Sequence, residues 1–303
     1  MSLVVNYELL NSYRVTLSRK FDDAFAAAPA SEWQGVATLI ESGSERNEYP
    51  FLGEVDSMRK WVGPRVVRQL KQFKYSIVNE DYELTMAIKR NHLEDDAGSQ
   101  LPQYGSWSQI MARSAARHPD ELVMQQALAK VDSIVCYDGQ NAADTDHPVG
   151  PEGAQVSVSN ISAVGATPAW YLLDTSRPIK PLIYQLRRGA QFQAMFDLSS
   201  ERVFYEREFV FGTDVRDAVG VGLWQTLYKS TQPLTEANYL AAKNAMIAFK
   251  NDEGVKMGIR PDLLVVPTEL DDVATKLFTQ DRLASGESNY LKGSIKLLVS
   301  RYL

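Results

Sequence analysis

Side chains that perform nucleophilic and acid–base chemistry are concentrated in the segment CYDGQNAADTDHPVG. It holds the only cysteine of the chain, Cys136, and one of the three histidines, His147. A thiol becomes a catalytic nucleophile when a neighbouring imidazole removes its proton. A cysteine-dependent hydrolase that uses Cys136 and His147 is therefore one hypothesis for this chain, although no hydrolase signature surrounds either residue.

The same segment contains three aspartates, which together with its histidine are candidate ligands for a hard cation. Their spacing lacks the D-x-D-x-D-G pattern and the distal glutamate of a calcium-binding loop. The histidines are far apart in sequence, and no second cysteine is present for a structural zinc site. The sequence therefore predicts no metal site.

Backbone preferences give the segment a second interpretation, as a loop of fixed shape. Asp138-Gly139 and Asn141 favour tight turns, and His147-Pro148 favours an extended exit. On this interpretation the chain has no catalytic residue, and replacing the cysteine and the histidine together affects folding or assembly only modestly. The residues that we expect to form this structural loop are Asp138, Gly139, Asn141, His147 and Pro148.

Motifs for nucleotide cofactors are absent from the sequence. The pattern G-x-x-x-x-G-K-[ST] of a phosphate-binding loop does not occur. Gly220-Val221-Gly222 begins like a dinucleotide fingerprint, but the third glycine is missing. A closely packed strand is the better interpretation of these glycines, and we expect no cofactor.

The composition is that of a globular protein. Of the 303 residues 45% are apolar, which is enough for a sizeable core in two or three domains. No run approaches the roughly 18 apolar residues of a membrane helix, so we expect no membrane contact. The first residues do not resemble a signal peptide, and the single cysteine is typical of a protein made in a reducing cytoplasm.

The chain is mildly acidic, with 38 acidic and 32 basic residues and a net charge of −6. Tight wrapping of nucleic acid relies on basic surface that neutralises phosphates. The charge therefore argues against a dedicated nucleic-acid binder. It leaves weak, non-specific contact with DNA as an expectation.

Hydrophobic periodicity predicts the elements of the N-terminal third. Residues 1–30 are typical of a helix-prone arm that ends at a proline. Residues 33–40 and the alternating run from Tyr82 to Ile88 are typical of strands, and both lie in the region 31–105.

A long helix is predicted over residues 106–130, where apolar residues recur at helical spacing. Pro119, followed by two acidic residues, is typical of a first helical turn. We therefore expect the helix to be kinked or split near His118.

The C-terminal half changes type along its length. Residues 131–233 hold the loop described above and then aromatic and β-branched runs, including 201–219, that are typical of strands. Residues 234–303 alternate between helix and strand, which is typical of an α/β domain within an α+β protein. The elements predicted there are helices at 235–249 and 270–278 and strands at 263–266 and 294–303.

Residues from about 44 to 75, here named the extended loop, combine aromatic and basic residues with several prolines and glycines. A segment of this length without its own core is typical of disorder or of a functional projection, and its many aromatic and β-branched residues argue against disorder. If it doubles back, each half reaches roughly 50 Å at about 3.3 Å per residue.

A two-stranded ribbon of this kind is marginally stable in water and requires a surface to lie on. We expect that surface to belong to a neighbouring copy of the same protein. The alternative is a long loop folded onto its own domain. The residues expected to contact the neighbouring copy are Arg46, Tyr49, Phe51, Arg59, Trp61, Arg65, Arg68 and Lys71.

Several short motifs follow one another in the order found in a known family. They are Trp61-Val62-Gly63, Arg113-Ser114-Ala115-Ala116, Cys136-Tyr137-Asp138-Gly139-Gln140-Asn141, and Tyr171-Leu172-Leu173-Asp174 with Lys180-Pro181. In these motifs the chain resembles the major head subunit of Mu-like phages, from about residue 21 to residue 303.

The resemblance implies the tailed-phage major capsid fold. This fold has an N-terminal arm, an extended β-hairpin loop, a peripheral domain with a long spine helix, and an axial α/β domain. By this resemblance the arm is 1–30, the peripheral strands with the extended loop are 31–105, the spine helix is 106–130, the β-rich peripheral and axial segment is 131–233, and the axial domain is 234–303.

The resemblance also implies a function without catalysis. Copies of the chain would assemble into pentamers and hexamers of an icosahedral head that encloses double-stranded DNA. A scaffold, a maturation protease, a portal and a decoration protein would be further partners. The protein would be made and assembled in the bacterial host cytoplasm and would reside in the virion head. The alternatives are the hydrolase described above and a ring-forming tail or adaptor component of a virion.

Overall fold

The structure is a computed structural model that describes residues 5–49, 60–63, 65, 75–95, 101–151, 153–162, 168–251, 254–282 and 286–303. The chain forms two compact units. The first comprises Met1–Ser31, Asn79–Pro119 and Leu186–Asp217, and the second comprises Glu32–Val78, Asp120–Gln185 and Ala218–Leu303. Each unit is therefore built from three separate stretches of sequence.

Helices and strands are mixed along the described chain. The α-helices are α1 (Tyr7–Ala26), α2 (Trp33–Val36), α3 (Arg90–Asp95), α4 (Leu101–Glu121), α5 (Glu201–Glu206), α6 (Glu236–Ile247) and α7 (Asp271–Phe278). The strands are β1 (Ala37–Glu41), β2 (Arg46–Glu48), β3 (Ser76–Val78), β4 (Glu80–Lys89), β5 (His147–Val149), β6 (Val156–Val158), β7 (Ile161–Ser162), β8 (Trp170–Leu173), β9 (Leu182–Met195), β10 (Glu208–Val221), β11 (Leu227–Ser230), β12 (Leu263–Pro267) and β13 (Lys296–Ser300).

These strands form two larger sheets and two hairpins. The four-stranded sheet has the order β1-β9-β10-β4, and the five-stranded sheet has the order β13-β12-β8-β11-β7. The strand pairs β2-β3 and β5-β6 are separate. The predicted α+β class is confirmed.

Helix α1 contributes to the core of the first unit. It begins where the Asn6 side chain accepts a hydrogen bond from the backbone N–H of Leu9 at 2.9 Å. Burying each large apolar side chain contributes roughly 1.5–3 kcal/mol, so this face holds the helix in place. The buried residues of this face recur at helical spacing and are Leu10, Tyr13, Leu17 and Phe21.

Strand β4 alternates as its sequence predicts. Its even-numbered residues from 82 to 88 are more buried than the odd-numbered residues between them. It pairs antiparallel with β10, from Glu208 opposite Lys89 to Asp217 opposite Glu80. All of these paired residues lie in the first unit.

The long helix predicted over 106–130 is present as α4, a π-helical segment, Leu122–Ala127, and a 3₁₀ turn, Leu128–Lys130. Pro119 lies inside α4, so of the two expected alternatives, a kink or a split near His118, the split is wrong. Proline lacks the backbone N–H and removes one helical hydrogen bond. Buried residues on both sides, including Met111 and Val123, keep the segment helical, and the wider π turn follows directly where the bonding pattern is disturbed.

The strand predicted over residues 33–40 is helical in its first half. Trp33–Val36 forms α2, and the strand β1 begins only at Ala37. The Trp33 backbone N–H donates to the Asp120 carboxylate at 2.8 Å, and its ring packs against Tyr184. These tertiary contacts override the strand preference of the segment.

The β-rich run at 201–219 also begins as a helix, α5, before β10. The Ser200 side chain accepts a hydrogen bond from the N–H of Val203 at the start of α5. Arg207 ends the helix in the left-handed region with a φ of 56°. Local capping therefore decides against the strand that the aromatic residues favour.

The five-stranded sheet lies in the second unit. Strand β12 is buried throughout and lies between parallel β13 and antiparallel β8. Helices α6 and α7 are joined by an edge-on contact between the rings of Tyr239 and Phe278 at 4.8 Å. The helix, strand, helix and strand predicted for residues 234–303 are confirmed. No described helix is both long and apolar enough to span a membrane.

Candidate assembly site and a buried structural loop

The loop that follows the long helix has the tight turn that its sequence predicts. The backbone N–H of Cys136 donates to the carbonyl of Gln140 at 2.7 Å, and the Asp138 side chain accepts from the N–H of Gln140 at 3.0 Å. Gly139 has a φ of 88°, which glycine adopts without a steric penalty. His147–Val149 then forms β5, the extended exit expected around a His-Pro pair.

Folding brings Cys136, Asp138 and His147 together, with their ligand atoms within 4.8 Å of one another. The aspartate lies between the other two side chains. Its carboxylate accepts from Cys136 Sγ at 2.8 Å and from His147 Nδ1 at 2.7 Å. The thiol therefore donates to a carboxylate and not to the imidazole, so this is not the arrangement of a nucleophile and its base.

The Cys136 thiol is held in its unreactive form. Burial, and then the charge of Asp138, raises its pKa. Only the thiolate is nucleophilic, so we expect a thiol-reactive dye to label the native chain at least about 100-fold more slowly than the denatured chain. Labelling at equal rates in native buffer and in denaturant would contradict this expectation.

The distances within this cluster also bear on metal binding. Ligands of a tetrahedral zinc ion, at about 2.0–2.3 Å from the metal, stand roughly 3.3–3.6 Å apart. The Sγ to Oδ1 and Nδ1 to Oδ2 distances here are 2.8 and 2.7 Å, which are hydrogen-bond distances. The cluster fits a hydrogen-bond network and would have to spread to hold an ion.

Asn160 organises the surroundings of this cluster. Its Oδ1 accepts from the backbone N–H of Asp144 at 2.8 Å and faces His147 Nε2 at 3.2 Å. Its Nδ2 lies 2.7, 3.2 and 3.3 Å from three backbone carbonyls, those of Ala142, Trp224 and Leu227. The carbonyls fix the orientation of the amide, so both ring nitrogens of the histidine face oxygen acceptors.

The His147 ring is fully buried and stacks on Trp224, with ring centroids 4.0 Å apart and planes at 6°. Its Nδ1 faces the Asp138 carboxylate at 2.7 Å and its Nε2 faces the Asn160 amide oxygen at 3.2 Å. Replacing the histidine would remove one of the three hydrogen-bond partners of the Asp138 carboxylate, and the other two, Cys136 Sγ and the N–H of Gln140, would remain. Sequence reasoning did not identify Asn160 or Trp224, because neither lies in a recognisable motif.

Asp138 gives this network a pH dependence. Burial raises the pKa of its carboxyl, but hydrogen bonds from His147 and Cys136 outweigh burial and hold the pKa below its usual value. The stability contributed by such a group is complete above the unfolded pKa of about 3.9 and is lost as pH falls through the folded pKa.

We therefore expect the melting temperature of an Asp138→Asn variant to vary less with pH below about pH 4 than that of the unaltered chain. Circular dichroism melts from pH 2 to pH 7 test this expectation. Parallel pH profiles for the two proteins would contradict it.

The base of the extended loop is a hairpin within the second unit. β2 and β3 pair antiparallel, with Asn47 opposite Ile77. The backbone N–H of Tyr49 donates to the carbonyl of Tyr75 at 2.8 Å, and the Tyr49 hydroxyl donates to Gln185 at 2.7 Å. Tyr49, predicted to contact a neighbour, thus anchors the loop to its own chain.

The described part of the extended loop beyond this base is exposed. Trp61 and Val62 have exposed fractions of 69% and 72%. The Arg65 guanidinium lies over the Trp61 ring, 4.8 Å from its centroid. Arg46, on β2, is also exposed. The other residues predicted to contact a neighbour, Phe51, Arg59, Arg68 and Lys71, lie outside the described residues.

The chain matches a protein-family model described as the Mu-like prophage major head subunit gpT over residues 10–303. It is 36% identical over 305 residues to the major capsid protein of Escherichia phage Mu, covering 97% of each chain. The structure superposes on the bacteriophage JBD30 procapsid chain with a TM-score of 0.83 and 40% identity, covering 99% of this chain and 100% of the other.

A second solved structure is the JBD30 capsid decorated with minor capsid protein trimers, matched with a TM-score of 0.74 and 30% identity over 92% of both chains. These matches confirm the tailed-phage capsid fold and support a shell protein over a hydrolase or a tail component. The protein therefore self-assembles into a shell as a component of the virion head. The chain belongs to the Mu-like prophage major head subunit family, whose members are structural capsid proteins and not enzymes.

Proposed function

We propose that the protein builds the closed icosahedral shell of a phage head as pentamers and hexamers, with the extended loop of each copy lying on an adjacent copy. The observation that supports this proposal is that the extended loop is fixed at its base and exposes large apolar side chains beyond it. Its base is fixed by β2 and β3, while Trp61 and Val62 are exposed beyond it. Large exposed side chains, such as Trp61 and Val62 on the described part of the loop, are typical of an interface.

The size of the loop suits assembly from soluble subunits. A stable interface buries at least about 1,000 Å² of total surface. A loop contact near or below this area forms once per copy, and single subunits stay soluble before assembly. Repetition of the same contact around closed symmetry then stabilises the shell.

We also propose the division of the chain that its family resemblance implies. Residues 1–30 form the arm, 31–105 the peripheral strands with the extended loop, 106–130 the spine helix, 131–233 a β-rich segment, and 234–303 the axial domain. Helix α1 and the long helix from Leu101 to Lys130 support the arm and the spine. The alternating elements of the last seventy residues support the axial domain.

Other partners follow from the function of a head shell. The minor capsid protein trimers on the JBD30 capsid lead us to propose a decoration protein for this shell too. We further propose a scaffold, a maturation protease and a portal, with synthesis and assembly in the bacterial host cytoplasm. The net charge of −6 suits an inner wall that contacts packaged DNA only weakly.

Negative-stain microscopy of the purified full chain, alone and with its scaffold, tests this function. Closed shells of uniform diameter support it. Open rings without shells would favour a tail or adaptor component. The hydrolase hypothesis would be favoured if the protein formed a small oligomer that hydrolyses an ester substrate and loses this activity on thiol labelling.

A further inference from the structure

The turn between β9 and β10 in the first unit, Met195–Glu208, is here named the hairpin tip. It carries two aromatic side chains, Phe204 and Tyr205, that are each 77% exposed. Their rings lie edge-on, 5.1 Å apart. Met195 and Leu198 are also exposed, so the tip presents a group of apolar side chains to solvent.

The exposure of this group is built into the fold. Phe196, next to Met195, is buried and packs edge-on against Phe209 at 5.8 Å. Val203, next to Phe204, is buried as well. The carbonyl of Arg207 accepts from the backbone N–H of Arg90 at 2.7 Å, which ties the end of α5 to the neighbouring strand end. The tip is therefore anchored on its inner side and displays its aromatic residues outward.

The charge of the hairpin tip indicates what covers it. The tip has four acidic and two basic residues; Arg202 pairs with Glu206 and Glu208 at 3.1 and 3.2 Å, and the net charge of the tip stays negative. The extended loop has seven basic and four acidic residues, and its described outer part places Lys60 and Arg65 beside Trp61 and Val62. An acidic aromatic surface and a basic aromatic surface are complementary. The acidic residues of the tip are Asp197, Glu201, Glu206 and Glu208.

We propose that the exposed part of the extended loop, Lys60–Gly63 and Arg65, docks on the hairpin tip of a second copy of the chain. This inference rests on the proposed function and names the surface that the loop contacts. The contact is heterologous, because it joins the loop of one copy to the tip of the next. Each copy can therefore make the same contact with a further copy around a ring or a shell.

Two other surfaces fit less well. The exposed stripe of α4 has Trp107 and Ile110, but Arg113 and Arg117 on it repel a basic loop. Two hairpin tips facing each other would bring like charges together. Of these three surfaces, only the tip combines exposed aromatic side chains with a charge opposite to that of the loop.

The area of this contact explains why it acts only in an assembly. An aromatic side chain buries about 150–250 Å² at most. Trp61, Phe204 and Tyr205 with their aliphatic neighbours therefore supply on the order of 400 Å² from each copy, about half of what one partner gives to a stable interface. The contact is too small to hold two copies together in solution and becomes effective when the shell repeats it.

A charge exchange tests the docking. Glu201→Lys with Glu206→Lys on the tip, and separately Lys60→Glu with Arg65→Glu on the loop, should each lower the yield of sedimenting shells at least about tenfold. All four changes in one chain should restore the yield to within about threefold of the unaltered protein. Phe204→Ser with Tyr205→Ser should lower the yield in the same way, and circular dichroism should give a native melting curve for every variant.

The matched control is Glu8→Lys with Asp22→Lys on α1, which makes the same change of charge in the first unit outside the tip residues, and it should assemble normally. If the four-change chain fails to form shells, or if the control loses them too, the docking is overturned. If shells are lost on removal of the loop but not on reversal of the tip charges, the proposed function stands and the tip is not the surface that the loop contacts.

Discussion

A chain in which an Asn-Gly turn replaces residues 50–74 is expected to fold as a monomer and to form no shells. Tyr49 and Tyr75 are joined by a backbone hydrogen bond of 2.8 Å, so a two-residue turn closes the hairpin at that point. The strands β2 and β3 remain paired, and the core of the second unit is unchanged. Only the surface proposed to reach a neighbouring copy is removed.

Sedimentation and negative-stain microscopy measure this result, and circular dichroism measures the fold. We expect shells to fall below detection while the melting temperature changes by less than about 5 °C, because no described core residue is lost. The control is a Glu45→Gln variant, which changes an exposed residue at the base of the loop. This variant should assemble normally. Shells of normal size and yield from the shortened chain would overturn the role of the extended loop.

The second large effect is expected from Asn160→Ala. The change leaves three buried backbone carbonyls without the Asn160 amide and removes an acceptor from His147 and from the N–H of Asp144. Each unsatisfied buried polar group costs about 1–3 kcal/mol, and some will find another partner. We therefore expect the free energy of unfolding to fall by roughly 3–5 kcal/mol.

Urea unfolding followed by tryptophan fluorescence measures this change. Trp224 lies against the network and should report its loss directly. Asn11→Ala on the exposed face of α1 is the matched control, and a surface change of this kind stays within about 0.5 kcal/mol. An Asn160→Ala chain that unfolds within about 1 kcal/mol of the unaltered protein would contradict the network as described.

The elements of the C-terminal third followed from the sequence, because α6 is rich in helix-forming residues, α7 is strongly amphipathic and β12 is a continuous apolar run. Helix α5 did not. Its sequence, ERVFYE, has the aromatic and β-branched residues of a strand, and the Ser200 cap and the left-handed Arg207 decide its conformation. The strand preference of six residues is too small to outweigh the helix-capping interactions at the two ends of the segment.

The candidate sites differ in how much of their structure the sequence predicts. The turn at Gly139 was predicted from backbone preferences alone, since a positive φ favours glycine. The role of Asn160 depends on carbonyls up to 67 residues away, and no local pattern encodes such a contact. The three-part composition of each unit is equally non-local, because strands distant in sequence meet only in the folded sheet.

The closed base of the extended loop has an evolutionary consequence. Because the backbone N–H of Tyr49 bonds to the carbonyl of Tyr75, the residues between them are joined to the β2–β3 hairpin at a single point. Lengthening this segment adds little entropic cost, since loop closure varies only slowly with length. We therefore expect insertions and deletions between Tyr49 and Tyr75 to be tolerated in evolution while the rest of the subunit keeps its fold.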